Sequence, residues 1–225
     1  MRGASILIEG PRFPDLTVAK RENITYLVWE ARDKQLDADL LAWARQRGYI
    51  VLVMRDPSWP SQYGASNCFI PPQLNEGERV NQSAVALAGT LSADIFRLGA
   101  GAQGTTKAQL AVMPDIEHVH DAKYVMDFYN EFRRLRSGRG IYLTTEWHQA
   151  GWFSRELVGK INSDRFFWHL PQAYEGGEMR PVDPRPVIAD DVAHGIEPSK
   201  VQVFLRPDRL DIGWDGWVYD YIKAR

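Results

Sequence analysis

Cysteine is almost absent from this chain of 225 residues: Cys68 stands alone. A single thiol excludes an internal disulfide framework and any metal site built from several cysteines. Long apolar runs are missing as well. Residues 1–9 (Met-Arg-Gly-Ala-Ser-Ile-Leu-Ile-Glu) hold an apolar stretch too short for a secretory signal or a membrane span, so neither a signal peptide nor a transmembrane segment is expected. Charge of one sign is not in excess. The 27 Lys and Arg against 29 Asp and Glu leave a net charge of −2, which provides no electrostatic basis for a nucleic-acid or anionic-membrane partner. A phosphate-cradling glycine loop is also lacking. Residues 99–104 (Gly-Ala-Gly-Ala-Gln-Gly) imitate a dinucleotide fingerprint but follow a helical pattern rather than a strand, and read as a flexible break. No G-x-S-x-G elbow for a serine nucleophile occurs.

What the chain does have is the material of an ordinary globular core, with 44% hydrophobic and 25% charged residues. Strand-like apolar runs alternate with helical patterns, the signature of a mainly parallel α/β fold. Residues 5–9 and 24–31 read as the first two strands, the second rich in β-branched and aromatic residues. Asp37 opens a helix with Leu36, Leu40, Leu41 and Ala44 along one side, closed by Gly48. Residues 49–54 follow as a non-alternating strand, as expected where both faces of a sheet are covered. A long connection over 57–82 carries Pro57, Pro60, Pro71 and Pro72 with Trp59, Tyr63 and Phe69; loops of this length are usually functional or disordered, and this one has enough aromatics to pack against something.

Further on, residues 83–98 predict a helix and residues 110–117 a fourth strand. Asp121 caps an amphipathic helix with Val125, Phe128, Tyr129, Phe132 and Leu135 on one face. Residues 140–145, 166–170 and 201–205 read as strands five to seven, and 214–221 as a weaker eighth. No repeat or linker divides the chain. The expectation is one α/β domain over 1–225, an irregular (β/α) TIM-type barrel, in which reactive groups sit at the C-terminal ends of the strands.

The fourth strand, residues 108–117 (Ala-Gln-Leu-Ala-Val-Met-Pro-Asp-Ile-Glu), ends in two carboxylates, Asp115 and Glu117. Side chains alternate along a strand, so residues two apart share a face at a backbone spacing of about 6.6–7 Å. Two neighbouring acids can divide into a protonated and an ionised member near neutrality, the division that glycoside hydrolysis requires. Strand ends also attract acids simply because a helix N-terminus follows. Glu9, Glu30 and Glu146 fall at the ends of other predicted strands and would share that rim; Trp59 and Trp147 are placed to stack on a sugar face. Glu117-His-Val-His-Asp121 offers metal-ligand residue types, but the helix cap at Asp121 interrupts the strand, and no metal site is expected. His148 reads as a hydrogen-bonded surface residue. Arg133, Arg134, Arg136 and Arg139 complement the C-terminal end of their helix.

The order of these segments resembles the glycoside hydrolase family 25 lysozymes. The matching stretches are 26–31, 37–52, 110–117 and 128–147, with fainter echoes at 167–170 and 213–220. The resemblance implies that Glu117 is the general acid and Asp115 the carboxylate that stabilises or positions the reacting sugar. It places Tyr142, in the Tyr-Thr strand, with Glu9, Glu30, Trp59, Glu146, Trp147 and Asp220 among the substrate-binding candidates. A further family acid maps to Asp215 or Asp220, which face opposite ways on a strand. The family's Gly-x-Asp-x-Ser signature is missing; residues 5–10 read Ser-Ile-Leu-Ile-Glu-Gly, with Glu9 the only acid. Two functions follow as expectations. One is a bacteriophage-encoded, muramidase-like hydrolase that cuts peptidoglycan without a cofactor, found in the virion or in the host cytoplasm before release. The other is a catalytically degenerate barrel, a structural or cell-wall-binding component of a phage tail tip, with cell-wall glycan and other tail proteins as partners.

Overall fold

A computed structural model describes residues 4–8, 26–30, 50–55, 83–101, 110–116, 121–145, 150–172 and 184–205. Within them the chain is a mixed α/β structure. The strands are β1 (Ala4–Ile8), β2 (Tyr26–Glu30), β3 (Ile50–Arg55), β4 (Leu110–Pro114), β5 (Ile141–Leu143), β6 (Phe167–His169) and β7 (Val203–Leu205). The helices are α1 (Ala84–Gly101), α2 (Ala122–Leu135), α3 (Arg155–Ser163) and α4 (Pro184–Ala193). Short 3-10 turns lie at Ala150–Trp152 and Pro198–Lys200.

The strands form one parallel sheet in the order β6-β5-β4-β3-β2-β1-β7. β1 is paired on both sides, with Ser5 level with Tyr26 on one flank and with Phe204 on the other. At the far side of the sheet, His169 of β6 bridges Val201, and Gln202 N donates to His169 O at 2.9 Å. Parallel strands covered on both faces read as continuous apolar runs, and Leu110–Pro114 is buried along its whole length.

Alternation divides the sheet residues between two cores. Val51, Val53, Leu110, Val112, Ile141, Leu143 and Phe167 pack with the helices, while Leu52, Met54, Ala111, Met113, Tyr142 and Leu170 form a separate cluster on the opposite face. Helix α1 meets the first core with Ala84, Leu87, Ala88, Leu91 and Ile95, an i, i+3, i+4, i+7, i+11 stripe. Helix α2 contributes Val125, Phe128 and Phe132, the two rings stacked at 5.8 Å. Caps set where α2 and α3 begin: Asp121 accepts from Lys123 N at 2.8 Å and Ser154 from Leu157 N at 3.1 Å.

Two expectations are corrected here. The break foreseen at 99–104 begins too early, because Gly99 and Gly101 lie inside α1; tertiary packing of a long apolar stripe outweighs glycine's weak helix propensity. The arginines at the end of α2 do more than complement its dipole. Arg133 Nε donates to Asp164 Oδ2 at 2.6 Å, and its other nitrogens reach Arg139 O at 2.6 Å and Phe166 O at 2.9 Å. Tyr129 donates its hydroxyl to the same Asp164 oxygen at 2.9 Å. α2 is thereby tied to the turn that leads into β6. Arg136 spans α1 and α2, its guanidinium donating to Ser92 O at 3.4 Å and lying 5.5 Å from the centre of the Phe96 ring. The long loop at 57–82, the helix at 37–48 and the eighth strand at 214–221 lie outside the described residues. Among the described residues no helix is long and apolar enough to cross a membrane.

Burial by itself would raise the pKa of Asp164. The Phe166 N–H, the Arg133 guanidinium and the Tyr129 hydroxyl outweigh it and hold the carboxyl below its ordinary value. A depressed folded-state pKa stabilises the fold above the unfolded value of ~3.9, and that contribution is lost as pH falls through the folded value. Asp164→Asn is therefore expected to destabilise the protein at pH 7 by about 1.5–3 kcal/mol, the worth of hydrogen bonds to a charged group. Urea unfolding should show the gap to wild type narrowing below pH ~4. A gap independent of pH would mean that the carboxylate's charge contributes nothing.

Candidate functional site at the strand C-terminal ends

In parallel α/β structures the carboxyl ends of the strands are where ligands meet the sheet. Here those ends carry two polar assemblies, one on each face. The first centres on Asp115. The residue follows β4 directly and continues the ladder: Asp115 N donates to Arg55 O at 2.9 Å, and Asp115 bridges Thr144 beyond β5. Alternation from Ala111 and Met113 puts it on the face away from the helices, while its neighbour Ile116 turns into the helix-side core.

Asp115 is 8% exposed, and Gln172 Nε2 donates to its Oδ1 at 3.3 Å. Gln172 comes from the segment after β6, which is fastened along β5. Leu170 N donates to Leu143 O at 2.7 Å, Thr144 Oγ1 to Leu170 O at 2.7 Å, and Gln172 N to Thr145 O at 3.0 Å. The main chain thus sets the amide and the carboxylate face to face. An amide donor stabilises an ionised acceptor and has no proton to exchange at neutral pH.

The helix-side assembly is Thr145, His169 and Asp191. Thr145 Oγ1 stands 3.0 Å from His169 Nε2, and His169 Nδ1 2.8 Å from Asp191 Oδ2. All three residues are buried, and the Phe153 ring lies edge-on to the imidazole at 5.0 Å. At the end of β3, Arg55 Nε donates to Asp94 Oδ2 of α1 at 2.6 Å, and Arg97 pairs with the other oxygen of that carboxylate.

Of the residues singled out in the sequence, Asp115 stands at the rim. Glu30 ends β2, level with Met54 of β3. Tyr142 lies in β5, 2% exposed and stacked on Trp168 at 4.8 Å. Glu9, Trp59, Glu117, His118, His120, Glu146, Trp147, His148, Asp215 and Asp220 lie outside the described residues. Sequence reasoning missed Gln172, Thr144, Thr145, His169 and Asp191. One signal was available: a histidine that ends an aromatic strand segment, Phe167-Trp-His, has to find polar partners if it is buried.

No protein-family model matches the chain, and no curated protein matches it. Among solved structures, one described as PhdJ bound to a substrate intermediate is similar with a TM-score of 0.45 and 13% sequence identity. The match covers 100% of this chain and 72% of that one.

The contact between Gln172 and Asp115 makes a direct prediction. Gln172→Glu sets a carboxyl where the amide donor now stands, and two carboxyls that close share a proton, so one of the pair should titrate near neutrality. Carbon-detected NMR titration of the side-chain carboxyls reads this. Gln172→Met, similar in size but without a donor, should show no shared proton. Two independent carboxyl titrations in the glutamate variant would contradict the contact.

Proposed function

We propose that the chain is a peptidoglycan-directed glycoside hydrolase of the muramidase type, bacteriophage-encoded, built on a (β/α) barrel. Barrel closure is supported by the strand order: β1 pairs with both β2 and β7, and the His169–Val201 bridge joins β6 to the residues that enter β7. Peptidoglycan as the substrate rests on the resemblance of the segments around Asp115 and Glu117 to the family 25 lysozymes. The observation that carries the chemistry is Asp115, held by the Gln172 amide at the C-terminal end of β4 on the face away from the helices.

In this reading Glu117 protonates the leaving oxygen of the glycosidic bond. Asp115 stays ionised and stabilises the oxocarbenium-like transition state, either directly or by positioning the substrate group that attacks. Glu30, at the end of β2, extends the binding surface in this proposal, with Trp59 and Trp147 as candidates for stacking on a sugar.

A second reading is a catalytically degenerate barrel that serves as a wall-binding or structural part of a phage tail tip, in contact with other tail proteins. The near-complete burial of Asp115, 8% exposed, favours it. The two readings separate on one assay. Release of reducing sugar from purified peptidoglycan by the wild-type chain, falling by about 100-fold or more in Glu117→Gln and similarly in Asp115→Asn, supports the hydrolase. Binding to the insoluble wall with no sugar released, unchanged in both variants, supports the scaffold. Activity that survives Glu117→Gln rejects the proposed acid.

A further inference from the structure

Thr145, His169 and Asp191 repeat the hydroxyl–imidazole–carboxylate order of a nucleophilic triad, yet at 0%, 1% and 2% exposure no solute meets them. Burying these groups costs free energy that hydrogen bonds within the set offset. Their role is found in what they hold. A carboxylate at Asp191 that accepts calls for the imidazole proton on Nδ1, the tautomer in which Nε2 of a neutral ring would accept from the Thr145 hydroxyl. Asp191 is itself fixed near the C-terminal end of α4. Gly195, at φ 93°, turns the chain there, with Gly195 N donating to Val192 O and Ile196 N to Asp191 O, each at 3.0 Å.

From Thr145 the connection continues to the opposite face of the sheet. The Thr145 carbonyl accepts from Gln172 N at 3.0 Å, and the Gln172 side chain donates to Asp115 at 3.3 Å. His169 also accepts at its own carbonyl from Gln202 N at 2.9 Å, so the residue is tied to α4, β5 and the strand that follows. Every step of this line is a hydrogen bond between groups less than 10% exposed.

We propose that His169 is a positioning residue for Asp115. Held by Asp191, it fixes Thr145, which seats Gln172, and Gln172 sets the geometry of the carboxylate. The inference rests on the reading of Asp115 as the charge-bearing acid of a glycan site, but its structural half stands without substrate.

The test is a double-mutant cycle in the full chain. His169→Asn keeps a donor for Asp191 and loses the acceptor for Thr145; Thr145→Val is close in shape and loses the hydroxyl; Thr145→Ser restores it. Nitrogen NMR of the wild type should show His169 with a bare Nε2. The Gln172 side-chain amide and the Asp115 carboxyl signals should move in His169→Asn and in Thr145→Val, stay in Thr145→Ser, and move no further in the double variant. Sugar release should fall roughly 10-fold in kcat with KM unchanged, the cost of a misplaced group. Unmoved Gln172 and Asp115 signals in a folded His169→Asn protein overturn the proposal, as does an additive double variant. If His169→Asn does not fold, the contrast between valine and serine at position 145 decides in the same way. A wild-type chain that releases no sugar overturns the hydrolase reading alone, since the NMR signals still report whether His169 sets Asp115.

Discussion

A parallel sheet buried on both faces leaves each strand residue two choices, and the period of two makes that choice for every residue at once. Asp115 shares a face with Ala111 and Met113 because it is an even number of residues from them. Thr145 and His169 fall on the helix side by the same count from Ile141 and Phe167. A slip of one residue would send the carboxylate into the helix-side core and the imidazole into the opposite one. The apolar runs of β3 and β4 resist such a slip, since Val51, Val53, Leu110 and Val112 already fit the helices while Leu52, Met54, Ala111 and Met113 fit the other cluster. Register and site are therefore one constraint.

The two ends of the strands handle buried polarity differently. At the N-terminal side, Arg133, Asp164, Tyr129 and Lys200 fasten α2 and the turn before β6, and much of that bonding goes to main-chain carbonyls: Arg139 O, Phe166 O, Asp164 O and Phe167 O. Burial lowers the Lys200 pKa against the opposing pull of Asp164 and Glu197, and the ammonium lies 5.3 Å from the centre of the Trp168 ring. Such ties orient backbone. The core adds the larger increments residue by residue: truncating a fully buried ring such as Phe132 to alanine costs about 3–5 kcal/mol. At the C-terminal side the bonds converge on side chains instead, and one of them is a carboxylate on the face away from the helices.

Much of the frame was legible in the residues. Continuous apolar runs at 50–54 and 110–114 announce covered parallel strands, and the Asp121 cap with the Val125, Phe128, Phe132 stripe announces α2, because local chemistry and burial point the same way there. The α3 and α4 segments were not foreseen. Pro184 and Pro186 open α4, where prolines are tolerated in a first turn but read as loop residues, and α4 has no clear apolar face of its own beyond Val187 and Ile188. Asp115 was found by its type and place. Gln172 and Asp191 were not, since their meaning lies in contacts 57 and 22 residues distant along the chain, and no spacing rule links an amide or a carboxylate to such partners.

The choice of an amide at position 172 has a chemical consequence. A second acid there would compete with Asp115 for one proton, and a lysine or arginine would quench its charge in a pair that a substrate would have to break. Glutamine does neither: it fixes one carboxylate oxygen with a neutral donor. A carboxylate at low exposure is costly unless its surroundings hold polar partners rigidly in place. The hydrogen-bonded line through Thr145 and His169 to Asp191 supplies that rigidity from the far side of the sheet. In this arrangement the imidazole gains importance from its burial, because a group that no solvent reaches cannot trade its partners away.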